Sequence, residues 1–295
     1  MRIAYLIGNG FDLNLGLKTS YKDFYEYYLK LNSDNDHVLE FKKELSKNME
    51  NWSDLERELG EYSTKFSYYE SDAFISLLDD IQDALVDYLK IQQDLYEPLI
   101  ADINKVYDDI FCPEKYLTEK EKDYIEMFKK TFNEDLCEVD VIVFNYTNTF
   151  EKIVNWSGRD IIMGIHGGTK KKFQCIFKNL EHIHGTVDKD MLMGVNDLGQ
   201  ISNKNFEKNQ DVIDALVKPM MNKLTGSYRE EKCENAILKA DIICIFGMSL
   251  GITDRKWWEL INQRMVTGKA VTIIFSKNDS IKLTRYYRDK HFHQY

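Results

Sequence analysis

Glycine, amide, imidazole and hydroxyl residues recur in this chain directly after short apolar segments. Gly8-Asn9-Gly10 follows the first such segment, Asn145 follows another, and Gly247 and Ser249 follow a later one. A His-x-His-Gly sequence at 182–185 adds two imidazoles. Glycines let the backbone approach a phosphate closely because they carry no Cβ, an amide can fix a water and a hydroxyl together, and a neutral imidazole accepts a proton. These residue types favour a site that binds a nucleotide and moves a proton beside it.

The apolar segments are predicted to be strands of one sheet. They cover Arg2–Ile7, Val139–Phe144, Ile161–Met163, Met191–Met193, Ile242–Phe246 and Val271–Phe275, and a further strand is expected before His182. Helical patterns near 208–223, 230–240 and 254–265 alternate with the later strands. This alternation favours a mostly parallel sheet that is covered on both faces. Ligands of such sheets bind beyond the carboxyl ends of the strands, so we expect the polar residues there to share one crevice.

Residues 20–133 differ in pattern from the rest of the chain. Apolar and aromatic residues recur there at helical spacing, beginning with Tyr21, Phe24, Tyr25 and Tyr28. The predicted fold is therefore α/β and Rossmann-like, with a mostly parallel, doubly wound sheet and a large helical insertion. Residues 1–19 and 134–295 are predicted to form the nucleotide-binding core, and residues 20–133 the insertion.

Composition and charge exclude several classes of protein. The net charge of −10, from 39 Lys plus Arg against 49 Asp plus Glu, argues against a nucleic-acid partner, because that affinity comes from clustered cations. The apolar runs are too short to span a bilayer. The five cysteines include no Cys-x-x-Cys pair, and no carboxylate or cysteine supports His182 and His184 as metal ligands. We therefore expect a cytoplasmic protein with no membrane contact and no metal.

Five blocks, in order along the chain, resemble the AbiH family of phage abortive-infection proteins. They are Ile-Gly-Asn-Gly-Phe-Asp-Leu-x-x-Gly-Leu-x-Thr-Ser-Tyr at 7–21, Trp-Ser-Asp-Leu-Glu at 52–56, Phe-Asn-Tyr-Thr-Asn-Thr-Phe-Glu at 144–151, His-Ile-His-Gly at 182–185 and Gly-x-Ser-Leu-x-x-x-Asp at 247–254. The resemblance implies an effector of antiviral defence, a toxin that acts during infection.

Four short motifs are similar, more distantly, to those of sirtuins. Residues 8–17 are similar to Gly-Ala-Gly-Ile-Ser-x-x-x-Gly-Ile, and Asn145 falls at the asparagine of Thr-Gln-Asn-Ile-Asp. His184-Gly185 is similar to the sirtuin His-Gly, and residues 247–250 to Gly-Thr-Ser-Leu. Sirtuins that remove acyl groups carry a four-cysteine zinc module, whose spacing is missing from this sequence. The resemblance therefore implies a sirtuin-like core that hydrolyses NAD to nicotinamide and ADP-ribose instead of deacylating proteins.

The resemblance also implies roles for individual residues. Asn145 and His184 would be catalytic, with Asn145 holding the attacking water and a ribose hydroxyl while His184 accepts a proton. The cofactor-binding residues would be Gly8, Asn9, Gly10, Phe11, Asp12, Gly247 and Ser249. Asp12 stands where sirtuins have serine, so it is expected to cap the following helix or to accept a hydrogen bond from a ribose hydroxyl. NAD is the expected substrate, with no further cofactor.

Several alternatives remain open. His166 or His182 could take the role given to His184, since His166-Gly167 repeats the same dipeptide. The chain could be a sensor that binds a nucleotide without turnover and signals through its helical insertion. Arg288 and His293 have the Arg-x4-His spacing of toxin ribonucleases. A constitutive NAD hydrolase would kill its host, so we expect restraint, by a homo-oligomer or by the insertion, until a phage-derived trigger acts.

Overall fold

The computed structural model of the protein has a mixed α/β fold and describes residues 1–52, 54–98, 103–132, 135–167, 171–249 and 254–275. Within these residues one sheet is built from β1 (Arg2–Ile7), β2 (Cys137–Val143), β3 (Ile161–His166), β4 (Phe173–His182), β5 (Ile242–Phe246) and β6 (Val271–Phe275). Their order across the sheet is β3-β4-β2-β1-β5-β6. Every neighbouring pair is parallel except the antiparallel pair of β3 and β4. The prediction of a mostly parallel sheet is confirmed.

The α-helices of the described residues occur between and after these strands. They are α1 (Gly10–Asn14), α2 (Tyr21–Tyr28), α3 (Asp36–Lys47), α4 (Leu55–Tyr62), α5 (Ser71–Asp94), α6 (Ile103–Phe111), α7 (Glu119–Lys130), α8 (Thr149–Val154), α9 (Gln210–Leu216), α10 (Lys218–Leu224), α11 (Arg229–Lys239) and α12 (Arg255–Val266).

One predicted strand is wrong. Residues 191–193 have no regular secondary structure, and Met191 and Met193 are buried in a cluster of helical residues. Their apolar character therefore reflects packing against helices and not membership of the sheet. The strand expected before His182 is present as β4. Its polar residues, such as Lys178 and Glu181, interrupt the apolar pattern and hide its bounds in the sequence.

Helices cover both faces of the sheet. Side chains of β1 alternate between the faces, as the two-residue period of a strand requires. Ile3 and Tyr5 belong to a cluster with residues of α6, α7 and α8, whereas Ala4 and Leu6 belong to a cluster with residues of α11 and α12. The hydroxyl of Tyr5 donates to the carbonyl of Ile110, which ties α6 to the sheet.

The helices of the predicted insertion pack in two places. Ser20 caps α2 by accepting a hydrogen bond from the backbone of Asp23, as a serine at this position predicts. Buried residues of α2 to α5 share one hydrophobic cluster with residues 187–217, whereas residues of α6 and α7 pack on the sheet. The division of the chain into 20–133 and the remaining core stays a prediction.

Candidate functional site

The predicted site residues follow the carboxyl ends of β4, β2, β1 and β5, which are neighbours in the sheet. Backbone hydrogen bonds extend the pairing into the loops. The N–H of Phe144 donates to Ile7 (2.8 Å), and that of Ile183 donates to Val143 (3.1 Å). Asn145 and His184 each come one residue later in these loops. The loops that carry the candidate residues therefore start from one edge of the sheet.

Three glycines bring the loops after β1 and β5 into close contact. A Cβ on Gly10 would lie 2.6 Å from the Cα of Gly247, and Gly247 itself has φ +68°, a conformation that favours glycine. The N–H groups of Gly8, Gly10 and Phe11 donate to backbone carbonyls at 2.8, 2.9 and 2.9 Å. These three N–H groups therefore already have acceptors within the protein. The glycines explain how two loops touch, and their role in binding a phosphate stays a prediction.

Two of the other predicted nucleotide contacts also have partners within the protein. The side chain of Asn9 exchanges two hydrogen bonds with Thr19, at 2.9 and 2.6 Å. The ring of Phe11 meets Phe150 and Phe246 edge-on, with centroids 5.3 and 5.7 Å apart. Ser249, in contrast, is exposed. Ser249 therefore has a side chain that can still reach a ligand.

Asp12 of α1 is fully buried and joins this helix to the loop after β2 and to the start of α8. Its two carboxylate oxygens accept hydrogen bonds from the hydroxyls of Thr147 and Thr149, both at 2.5 Å, and its contact with a ribose stays a prediction. Burial raises the pKa of Asp12 above its usual value, and hydrogen bonding by these threonines opposes that rise, as does the nearby polar side chain of Asn145. The observed partners give Asp12 a role in holding the loops together.

Asn145 has a buried amide with no good partner. Its side chain is 6% exposed, and neither its Nδ2 nor its Oδ1 makes a hydrogen bond of good geometry. Its backbone carbonyl accepts from Nδ1 of His182 at 2.8 Å, and Nε2 of the same histidine bonds to the Glu151 carboxylate. His182 thus uses both ring nitrogens to fix the Asn145 loop. Leaving a buried polar group unpaired costs about 1–3 kcal/mol, so the amide is suited to a water or a ligand.

His184 is equally buried and has a free ring nitrogen. It is 6% exposed, its Nδ1 has no hydrogen-bond partner, and it lies between the rings of Phe144 and Tyr146 at centroid distances of 6.0 and 6.5 Å. Burial lowers the pKa of His184 well below its ordinary value, and the charges of Lys218, Arg229 and His182 lower it further. The imidazole is therefore neutral near pH 7 with a lone pair open to a proton, and the same burial makes it a weaker base than a free imidazole.

A small pocket opens beside His184. Its volume is about 20 Å³, and Lys218, Asn222 and Trp257 line it together with Glu230 and Lys256. Asn222 is 4% exposed, and its Oδ1 has no hydrogen-bond partner. Five of the nine lining residues are buried, and two of these five, His184 and Asn222, carry unpaired polar atoms.

A family model described as bacteriophage abortive infection AbiH matches residues 4–276, which is most of the chain. The chain belongs to the AbiH family. This membership implies a role in phage abortive infection. The match covers every loop described above, whereas no curated protein matches the chain. The sirtuin-like relation and the reaction on NAD stay predictions.

The AbiH protein places a charged residue of the helical region beside this pocket. Glu56 of α4, 7% exposed, accepts hydrogen bonds from the hydroxyl of Tyr146 and from Nζ of Lys218, the latter at 2.7 Å. Burial raises the pKa of nearby Asp254 to about 6, while Lys218 lowers it and Glu56 raises it. Glu56 and Tyr146 stand in the sequence blocks at 52–56 and 144–151. Lys218 and Asn222 stand in none of these blocks, so sequence reasoning missed them.

His166 lies at the opposite edge of the sheet of this AbiH protein. It pairs with Phe173, the first residue of β4, whereas His182 is the last residue of that strand. Its ring packs against Phe111 and Phe173, away from the loops that carry Asn145. His166 therefore cannot replace His184 in this arrangement. Arg288 and His293 lie outside the described residues.

Within the part of the chain that the structure describes, no three His, Cys, Asp or Glu side chains gather as ligands of a metal ion. Nor does any helix of that part have the length and apolar character that a membrane crossing requires.

Proposed function

We propose that this AbiH protein acts in abortive infection by hydrolysing NAD to nicotinamide and ADP-ribose. The observation that carries the proposal is the pair of buried, incompletely partnered side chains of Asn145 and His184, which follow the adjacent strands β2 and β4. Both residues also have His182 as a neighbour, through a hydrogen bond to Asn145 and through the charge that acts on His184. Buried polar atoms without partners are rare, and a ligand or water is a common explanation.

The chemistry of the two groups matches the reaction. Water attacks the ribose carbon that bears nicotinamide, the carbon–nitrogen bond breaks, and nicotinamide leaves as a neutral molecule. The proton of the attacking water passes to the neutral imidazole of His184, whose pKa is lowered by burial. The amide of Asn145 orients the water and a ribose hydroxyl, since it offers two donors and one acceptor. General-base help of this kind contributes about 10²–10⁴-fold to a rate.

The proposal does not depend on phosphate contacts from the glycine loop. The N–H groups of Gly8, Gly10 and Phe11 are donated to carbonyls within the protein. Ser249, with its exposed side chain, is the predicted contact best placed to reach a phosphate or a ribose. We therefore expect the residues around Asn145 and His184, and not the glycine loop, to contribute most of the binding of the dinucleotide.

The experiment measures nicotinamide release from NAD by the purified full-length protein, and cellular NAD during infection by a phage that the protein restricts. The wild type is expected to release nicotinamide or to deplete NAD on infection. Asn145→Ala and His184→Ala are expected to lower release by about 10²–10⁴-fold. His166→Ala is the matched control, because this histidine lies at the opposite edge of the sheet; it should keep the wild-type rate.

Other outcomes overturn the proposal. Protection of the protein against heat by NAD, with no nicotinamide release and no loss of cellular NAD during infection, favours the sensor. Cleavage of RNA that is abolished by His293→Ala favours the ribonuclease. A hydrolase that retains full activity in both Asn145→Ala and His184→Ala has its site elsewhere.

A further inference from the structure

The pocket beside His184 contains two buried polar atoms that the protein leaves without a hydrogen-bond partner. Asn222 on α10 and His184 after β4 are 96% and 94% buried, being 4% and 6% exposed, and Asn222 Oδ1 and His184 Nδ1 have no hydrogen-bond partner. Both residues line the pocket, as does Trp257, which is 3% exposed. A buried amide oxygen only accepts hydrogen bonds. The missing partner of Asn222 Oδ1 is therefore a group that carries an N–H or O–H.

The charges around the pocket do not favour an anion. Lys218 is 2% exposed and forms an ion pair with Glu56 at 2.7 Å. Lys256, at the mouth, pairs with both Glu230 and Glu234. Each lysine is thus neutralised by a carboxylate, and no unpaired cation among these residues is left for a phosphate or a carboxylate. The pocket is suited to a neutral ligand.

The size and walls of the pocket restrict the ligand further. A volume of about 20 Å³ is little more than the space that one water needs, so the pocket admits only the end of a larger ligand. Trp257 adds an aromatic side chain to the wall, which favours an aromatic or other planar group. The expected ligand group is therefore neutral and planar, carries N–H donors and belongs to a larger molecule that extends from the pocket mouth.

We infer that this pocket receives the carboxamide of nicotinamide, with its N–H group donating to Oδ1 of Asn222. The inference rests on the proposed function, since it places the leaving group of that reaction beside His184. The amino group of adenine has the same donor chemistry and is the other source within NAD. Nicotinamide is favoured because His184, the proposed base, lines the pocket and acts at the nicotinamide end of the molecule.

The test measures binding of free nicotinamide to the full-length protein by calorimetry and its inhibition of NAD hydrolysis. Asn222→Leu keeps a side chain of similar size and removes the acceptor. It is expected to weaken nicotinamide about tenfold, which corresponds to about 1.4 kcal/mol. Asn235→Leu is the matched control, an exposed asparagine on the neighbouring helix α11, and should bind nicotinamide as the wild type does. Nicotinic acid and adenine are expected to bind more weakly than nicotinamide to the wild type.

The outcomes separate the pocket from the reaction. Nicotinamide binding that is absent, or equal in wild type and Asn222→Leu, overturns the pocket inference even where NAD is hydrolysed. Stronger binding of adenine, lost in Asn222→Leu, overturns the choice of nicotinamide. Nicotinamide binding that depends on Asn222, in a protein that never cleaves NAD, supports the pocket while the proposed hydrolysis fails. If Asn222→Leu does not fold, Asn222→Ala removes the same oxygen and takes its place.

Discussion

Two groups of buried polar residues meet at the carboxyl edge of the sheet and differ in how their atoms are satisfied. In the first, which we call the paired network, Asp12 binds Thr147 and Thr149, and both ring nitrogens of His182 have partners. In the second, the open pocket, Oδ1 of Asn222 and Nδ1 of His184 have none.

Hydrogen-bond pairing separates the residues that hold this edge of the sheet together from those whose polar atoms are open to a ligand. A buried polar group stabilises a fold only when it is hydrogen-bonded, and it costs free energy when it is not. The paired network therefore contributes to stability, whereas the unpaired atoms of the open pocket lower it. Substitutions of buried groups that have a partner are expected to change the free energy of unfolding most, and substitutions of the unpaired atoms to change ligand binding most.

The largest effect on stability is expected from Lys218→Met, which tests the ion pair at the back of the open pocket. Removing one partner of a buried ion pair leaves the other charge uncompensated and costs about 3–5 kcal/mol. The double variant with Glu56→Gln removes both charges and should recover most of that loss. Urea denaturation followed by circular dichroism measures both. A single variant as stable as the wild type would show that Glu56 is not held by Lys218.

Asp12→Ala compares the two groups directly. It leaves the hydroxyls of Thr147 and Thr149 without their acceptor, and we expect the free energy of unfolding to fall by about 3 kcal/mol. Asn222→Leu in the open pocket should change it by less than about 1 kcal/mol, since no hydrogen bond of its Oδ1 is lost. Chemical denaturation of both variants is the measurement. Equal losses in the two variants would remove the distinction between network and pocket.

Gly10→Ala tests the close contact between the loops after β1 and β5, next to the paired network. The new Cβ would lie 2.6 Å from the Cα of Gly247, so the two loops have to separate. We expect a loss of about 2 kcal/mol from this overpacking. Gly164→Ala is the matched control, because a Cβ there meets nothing within 4 Å. Thermal unfolding should separate the two alanines, and identical melting temperatures would mean that the loops adapt without cost.

The smallest effect is the pH dependence contributed by His184. Its pKa is lowered in the folded protein, whereas in the unfolded chain it returns to about 6.5. Below pH 6.5 the unfolded chain therefore binds a proton that the folded protein does not, and stability falls by up to about 1.4 kcal/mol per pH unit.

The buried Asp254 acts in the opposite direction. Its pKa is raised to about 6 in the folded protein, so stability rises as the pH falls through this value towards the unfolded pKa of about 4. The difference between wild type and His184→Gln, measured from pH 7.5 to 5.5, isolates the contribution of His184. A difference that does not change with pH would mean that the imidazole is not held neutral.

The local sequence pattern predicted the helices and strands better than it predicted the side-chain contacts between them. Apolar runs located β1, β2, β5 and β6, and the rule for parallel sheets placed Asn145 and His184 on one edge. The run at 191–193 was misassigned because burial under helices also produces apolar residues. The ion pair of Glu56 and Lys218 spans 162 residues, and no local pattern indicates it. Side-chain partners of this kind are set by tertiary packing.

The hydrogen bonds of Glu56 have a mechanical consequence. They attach α4, whose buried residues belong to the cluster of α2 to α5, to Tyr146 in the loop of Asn145 and to Lys218 at the start of α10. A tilt or shift of α4 must either move Tyr146 and Lys218 with it or expose the buried ion pair of Glu56 and Lys218 to solvent. A protein that binds to helices α2 to α5 and shifts α4 would therefore also move residues at the carboxyl edge of the sheet.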